Sequence, residues 1–390
     1  MISLRTYSRA VSRPHSSQPR RGRRSRGSSF DIFRGVAEAL RDQDRYGLLA
    51  QASQYLAVSR QPDDPFANEP RSAPSQEDLI ASLIGTEMPE ATAMLIGMGA
   101  LATGAIQETI DDELQRRTIP PWAADLRDIT VVGTGVIGHV LDDGESLVVG
   151  VQWPDGAGMT AIVYVDHNLG TIVKDAFVPP TPFEEVLATY HDRARTEPEM
   201  RLTDVDPADI RARFEMALQW TEEEWPPIST ETWPQSQPLV EWIMHRLPAD
   251  GAGYDFAEWT DDQLEEIVDE FLGSEHGQTI ADSPYAADLT HSLLILVARY
   301  SPADPYHWSP VSVEMVLADR FPRKVIGPPD YMLEMPGVLR ALVRFAHAQR
   351  GIGEHLTDET LQAVDRFEPY YRSIVGQPDH PSGLDDLFES

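Results

Sequence analysis

Glycines in a GxGxxG pattern are the first residues whose spacing is typical of a chemical role. Gly133, Gly135 and Gly138 follow the apolar residues 129–132. In dinucleotide-binding folds, such glycines bring the backbone close to a pyrophosphate at the N-terminus of a helix. Here residues 142–144, Asp-Asp-Gly, predict a turn where that helix would have to continue. We therefore interpret the glycines as part of a bent strand, and we assign no cofactor.

A second group combines a histidine with two acids in a short hairpin. Asp166, His167 and Asn168 are consecutive, and Asp175 lies on the opposite side of the hairpin. An aspartate beside a histidine suits acid–base catalysis, but the same residue types are favoured in tight turns. Two interpretations stay open, a structural turn and a binding edge formed by these four residues. We assign no catalytic residue and no metal ligand, because the histidines lack the spacing of known ligand sets.

Basic residues are concentrated in two segments of a strongly acidic chain. The 390 residues include 32 basic and 63 acidic ones, a formal net charge of −31. Residues 1–28 hold eight arginines and no acid, which leaves the rest of the chain at −39. The candidate residues for binding anions or nucleic acid are Arg20, Arg21, Arg23, Arg24, Arg26, Arg323, Lys324, Arg340 and Arg344. For the segment 320–350, pairing with the protein's own acidic groups is the alternative interpretation.

Aromatic residues are concentrated in one long connection. Five of the eight tryptophans lie between residues 220 and 259, among prolines. Aromatic-rich loops form ligand platforms and partner hot spots, but they also anchor long connections to a core. Both interpretations stay open. The acidic run at 221–224, Thr-Glu-Glu-Glu, is interpreted as the solvated end of a helix.

The hydrophobic periodicity predicts an α+β protein that is mostly helical, with one small antiparallel β-meander. Alternating apolar residues and turn signals place the meander at about 129–178. Helical spacing on both sides predicts flanking helices that pack on the sheet. The predicted units are a disordered Arg-rich tail at 1–28, a helical unit with the meander at 29–200, a helical domain at 201–376 and an acidic tail at 377–390.

Composition limits the class of protein and its compartment. The chain has no cysteine, which excludes disulfide scaffolds, thiolate metal sites and cysteine nucleophiles. The uncharged run at 91–107 is at the lower limit for a membrane span, and its polar residues favour a buried helix instead. We therefore expect a cytoplasmic protein without membrane contact.

Three stretches resemble an uncharacterised family of bacterial, mainly actinobacterial, proteins. They are residues 163–177, 308–325 and 343–347. The resemblance covers about 130–375. Because no activity is established for that family, the resemblance implies a bacterial origin but no catalytic residues.

Three hypotheses for function follow. The first is a non-enzymatic cytoplasmic binding or adaptor protein that acts through a protein partner, since no catalytic set has the required spacing. The second is association with nucleic acid through the N-terminal arginines, which predicts steep salt dependence. The third is an enzyme with a dispersed site near the 166–175 hairpin, whose residues would have to converge on a pocket.

Overall fold

The computed structural model describes residues 28–60, 74–224, 230, 232–300 and 303–376. These residues are mostly helical and contain one antiparallel sheet, which confirms the predicted α+β class. The 377–390 tail and nearly all of the 1–28 tail lie outside the described residues.

The helices before the sheet include one that is buried on all sides. They are α1 (Ser28–Asp42), α2 (Arg45–Ala57), α3 (Gln76–Ile84), α4 (Pro89–Leu101) and α5 (Gly104–Leu114). The sequence predicts one long helix from Pro89 to about Arg116, but it is interrupted because Ala102 is extended and Gly104 has a φ of +61°. Most of α4 is buried, as expected for a central helix. Within the described part of the chain, no helix has the length and hydrophobicity to cross a membrane.

The sheet contains the predicted meander and one further strand. The strands are β1 (Thr130–His139), β2 (Gly144–Gln152), β3 (Gly158–Asp166), β4 (Ile172–Phe177) and β5 (Met200–Thr203). Their order is β4-β3-β2-β1-β5, and every pair is antiparallel. The sequence does not predict β5, which pairs with the second half of β1.

The GxGxxG glycines lie inside β1, which confirms their interpretation as strand residues. The strand has a bulge between Val131 and Gly133. A Cβ on Gly133 would lie 2.1 Å from the ring of Phe183, and a Cβ on Gly150 would lie 2.3 Å from the Phe183 Cβ. These glycines therefore make room for Phe183 on the face of the sheet.

Side chains, rather than another strand, satisfy the outer side of β4. The Thr221 hydroxyl accepts a hydrogen bond from the Val173 amide at 2.8 Å. The Ser236 hydroxyl donates to the Ala176 carbonyl at 2.7 Å. Both hydroxyls come from helices that pack on this strand, so two backbone groups of the sheet edge have partners.

Side chains cap the N-termini of several helices after the meander. They are α6 (Phe183–Ala194), α7 (Pro207–Glu223), α8 (Trp233–Met244), α9 (Asp261–Gly273), α10 (Ala286–Tyr300), α11 (Pro310–Met315), α12 (Phe321–Lys324), α13 (Pro329–Arg350) and α14 (Glu354–Val375). Asp206 caps α7 by accepting from the Ala208 amide at 2.8 Å. Thr260 and Gln263 form the predicted capping box of α9.

The buried side chains form two large cores. The first joins one face of the sheet to α2, α4, α7 and α8, and it extends to Leu247. The second begins at Leu264 and joins α9, α10, α11, α13 and α14. Helix α6 covers the other face of the sheet with a smaller cluster around Phe183. The boundary of folding units at 200/201 stays a prediction.

Candidate binding cleft

The predicted hairpin residues form a buried turn with internal hydrogen bonds. Asp166, His167 and Asn168 are each less than 10% exposed. The Asp166 carboxylate accepts from Lys174 Nζ at 2.5 Å and from the Leu169 amide at 3.1 Å. His167 Nδ1 lies 3.2 Å from the Thr171 hydroxyl, and burial lowers the pKa of the imidazole. This geometry supports the structural interpretation of the turn.

Asp175 is engaged elsewhere. Its carboxylate accepts from the hydroxyls of Thr230, at 2.7 Å, and of Thr232. The structure therefore brings Asp166, His167 and Asn168 together in one turn, while Asp175 binds Thr230 and Thr232.

Asp143, in the turn between β1 and β2, connects the hairpin turn to the second core. One oxygen, Oδ1, accepts from Asn168 Nδ2 at 2.6 Å, from the Ser309 hydroxyl and from His307 Nε2 at 3.4 Å. Burial opposes ionisation of this carboxyl, but the hydrogen bonds from His307, Ser309 and Asn168 outweigh it and lower the pKa of Asp143. The three donors come from two distant parts of the chain.

The predicted basic segment is largely engaged with the protein itself. Arg320 is buried and donates to the Asn168 carbonyl at 2.7 Å. Arg340 pairs with two acids of α14 at 2.5 Å each, and these carboxylates raise its pKa against the opposing effect of burial. Arg323 pairs with Asp319 at 3.0 Å.

The remaining predicted anion-binding residues are exposed or undescribed. Lys324 ends α12 and Arg344 lies on α13, both exposed. The tail residues Arg20, Arg21, Arg23, Arg24 and Arg26 lie outside the described residues.

A cleft of about 560 Å³ opens beside the hairpin turn. One wall is formed by the turn residues 169–172 and the end of α7. The other wall is formed by the end of α10 and by Ala303, and Phe256 also lines the cleft. The cleft therefore lies between the two large cores, a common position for ligand sites.

Two aromatic rings, Trp220 and Phe256, line the cleft, and Tyr254 stacks on Phe256. The ring centroids of Trp220 and Phe256 are 5.5 Å apart, and those of Phe256 and Tyr254 are 5.8 Å apart with nearly parallel planes. The Tyr254 hydroxyl donates to Glu145 at 2.6 Å, and Arg213 contacts the same carboxylate at 3.1–3.2 Å. Burial and the Glu145 charge raise the pKa of Tyr254, so its ring is neutral and held in place.

Charged side chains stand on both sides of the aromatic rings. Glu223 and Glu224 are exposed at the end of α7 and line the cleft. Arg299 lines it from α10 and is also exposed. Among the residues that the structure describes, the cleft thus presents two carboxylates, an aromatic surface and one guanidinium.

Neither a metal cluster nor a relative explains this site. Within the described ranges, no three acidic or histidine side chains are grouped to hold a metal ion. Compared with protein-family models, curated proteins and solved structures, the chain has no significant match.

Sequence reasoning did not identify the cleft as a site, although it flagged two of its parts. The concentration of tryptophans includes Trp220, and the acidic run includes Glu223 and Glu224. The acidic run predicts a solvated helix end, and the structure shows these glutamates exposed. Their proximity to Phe256 and Arg299 depends on how the two cores pack, which no local pattern reveals.

Proposed function

We propose that the protein binds a basic segment of a protein partner in the cleft beside Trp220. The observation that carries this proposal is the aromatic pair of Trp220 and Phe256, which lines the cleft together with two exposed glutamates. An arginine or lysine side chain that stacks on an aromatic ring and pairs with a carboxylate gains from both interactions.

The size and polarity of the cleft suit a short peptide segment. A volume of about 560 Å³ is within the usual range for ligand sites. On the opposite wall, Arg299 is available to donate to a peptide carbonyl or carboxylate. A basic side chain on a peptide backbone therefore matches both walls.

The charge of the whole protein favours a basic partner. Residues 29–390 carry a formal net charge of −39, which attracts cations and repels nucleic acid. A cytoplasmic site of action and a bacterial origin are parts of this proposal, and the absence of cysteine is compatible with a reducing compartment. Nucleic-acid binding through the tail stays a hypothesis.

Fluorescence polarisation of a labelled hexa-arginine peptide tests the proposal with the full chain at 150 mM salt. We expect Trp220→Ala to weaken binding about fivefold, the effect of losing one cation–π contact. The double variant Glu223→Gln/Glu224→Gln should weaken it by a similar factor, because two carboxylates at the cleft become neutral.

The matched control is Glu265→Gln/Glu266→Gln. These two adjacent glutamates are exposed on α9 and do not line the cleft. If the peptide binds only through the overall charge, both double variants will weaken binding equally, and the proposal is wrong. A loss confined to the cleft variants supports it.

A further inference from the structure

One carboxylate oxygen joins the two walls of the cleft. Asp143 Oδ1 accepts from Asn168, which directly precedes the wall residues 169–172. The same oxygen accepts from Ser309 and His307, which follow the opposite wall residue Ala303 by a few positions. All three side-chain donors converge on this one oxygen.

Additional contacts make each of these segments stiff. The Asp143 carbonyl accepts from the His167 amide at 3.0 Å, which ties the two turns together. The Ser309 hydroxyl also accepts from the first amides of α11, at 3.0 Å for Ser312. The indole of Trp259 donates to the Ala303 carbonyl at 2.5 Å. A displacement of either segment at Asp143 is therefore transmitted to a wall of the cleft.

We propose that Asp143 is a positioning residue of the cleft, which sets the separation of its walls by binding Asn168 on one side and His307 and Ser309 on the other. The positioning role of Asp143 rests on the proposed function only where it concerns peptide affinity. The separation of the walls is measurable without any peptide.

Because the chain has no cysteine of its own, spin labels attach only to cysteines that are introduced, and they can measure the separation of the walls. Labels on Glu222→Cys and Arg299→Cys report the distance between the end of α7 and the end of α10, both exposed. In the Asp143→Asn variant, the side-chain amide can face the same three donors in two ways. Its NH2 group cannot accept their hydrogen bonds, and its oxygen is a weaker acceptor than a carboxylate. We expect the label distance to lengthen by more than about 2 Å and its distribution to broaden.

Asp142→Asn is the matched control in the same turn. It makes the same change of charge and removes the Arg350–Asp142 ion pair, while Arg350 keeps its ion pair with Asp304, the neighbour of Ala303. Asp142 does not contact Asn168, His307 or Ser309. We expect it to leave the label distance unchanged. If Asp143→Asn does not fold, Asn168→Ala removes one donor from Asp143 and should also broaden the distribution.

Peptide affinity separates the two proposals. Unlabelled Asp143→Asn should bind hexa-arginine about tenfold more weakly than the unmodified chain, and Asp142→Asn should not. Equal label distances in Asp143→Asn and Asp142→Asn would overturn the positioning role. A changed distance, together with an unmodified chain that does not bind the peptide, would support the positioning role and reject the proposed function alone.

Discussion

The guanidinium of Arg320 donates to the backbone carbonyl of Asn168 at 2.7 Å, across 152 residues of sequence. This contact joins the predicted hairpin edge to the predicted basic segment, which the sequence presents as separate features. It lies in the buried region between the two large cores, where an unpaired carbonyl is costly.

Replacing Arg320 tests how much this contact stabilises the fold. We expect Arg320→Met to lower the free energy of unfolding by about 1–3 kcal/mol, because methionine fills part of the space but leaves the Asn168 carbonyl without that donor. Urea denaturation measures the change. Arg323→Met, which removes an exposed ion pair three residues further along the chain, should change stability by less than about 0.5 kcal/mol. Similar losses in both variants would contradict the role of the buried contact.

The glycines that face Phe183 should not tolerate a methyl group. We expect Gly150→Ala to destabilise the protein by about 1–3 kcal/mol, because its Cβ would lie 2.3 Å from the Phe183 Cβ. Gly138→Ala should be nearly neutral, since nothing lies within 4 Å of a Cβ at that position. Thermal or urea unfolding of both variants checks this difference. Equal effects would mean that packing against Phe183 is not what requires a glycine at 150.

Buried histidines should make stability depend on pH. Burial lowers the pKa of His167 and of His347, so the folded protein keeps both rings neutral where the unfolded chain, with a histidine pKa of about 6.5, begins to bind protons. The contribution of these two histidines to the free energy of unfolding should therefore be complete above about pH 6.5 and should decrease as the pH falls below that value. We expect a lower urea midpoint at pH 5.5 than at pH 7.5.

Substitution of His347 identifies its share of this pH dependence. His347→Gln should reduce the difference between the two midpoints, because one proton-binding group of the unfolded chain is removed. His191→Gln, at an exposed position on α6, is the matched control and should leave the difference unchanged. An unchanged difference in His347→Gln would show that other groups produce the pH dependence.

The hydroxyl of Tyr254 should matter more for stability than for peptide binding. Tyr254→Phe removes the hydrogen bond to Glu145 but keeps the ring that stacks on Phe256. We expect a loss of about 1 kcal/mol in the free energy of unfolding and a change of less than about twofold in hexa-arginine affinity. Urea denaturation and fluorescence polarisation provide the two values. A large loss of affinity with unchanged stability would assign the hydroxyl a direct part in binding.

Local patterns were sufficient for most elements of the fold. Alternation of apolar residues between turns predicts β1 to β4, and capping residues such as Asp206 and Thr260 predict where helices begin. These signals are local because each strand face or helix end is determined by a few neighbouring residues. By contrast, β5 has only four residues and is held by its pairing with β1, so its own sequence carries little signal.

The cleft could not be predicted because its walls are distant in sequence. Leu169 lies in the turn before β4 and Trp220 lies on α7, while Arg299 lies on α10, a helix of the second core. The sequence correctly suggests that Glu223 is exposed, but exposure alone does not distinguish a solvated helix end from the border of a binding site. The position of Asp143 between Asn168 and Ser309 likewise depends on how the two cores meet.

The Thr221 hydroxyl, which satisfies the Val173 amide of β4, also lies at the end of α7 that carries Glu223 and Glu224. Any occupant that pulled this helix end outward would leave a buried strand amide without its partner. The loss of this hydrogen bond costs about 1–3 kcal/mol, so the contact with the sheet opposes outward movement of the helix end. The α7 wall of the cleft is therefore anchored directly to the edge of the sheet, and a partner that displaced this wall would disturb the sheet as well.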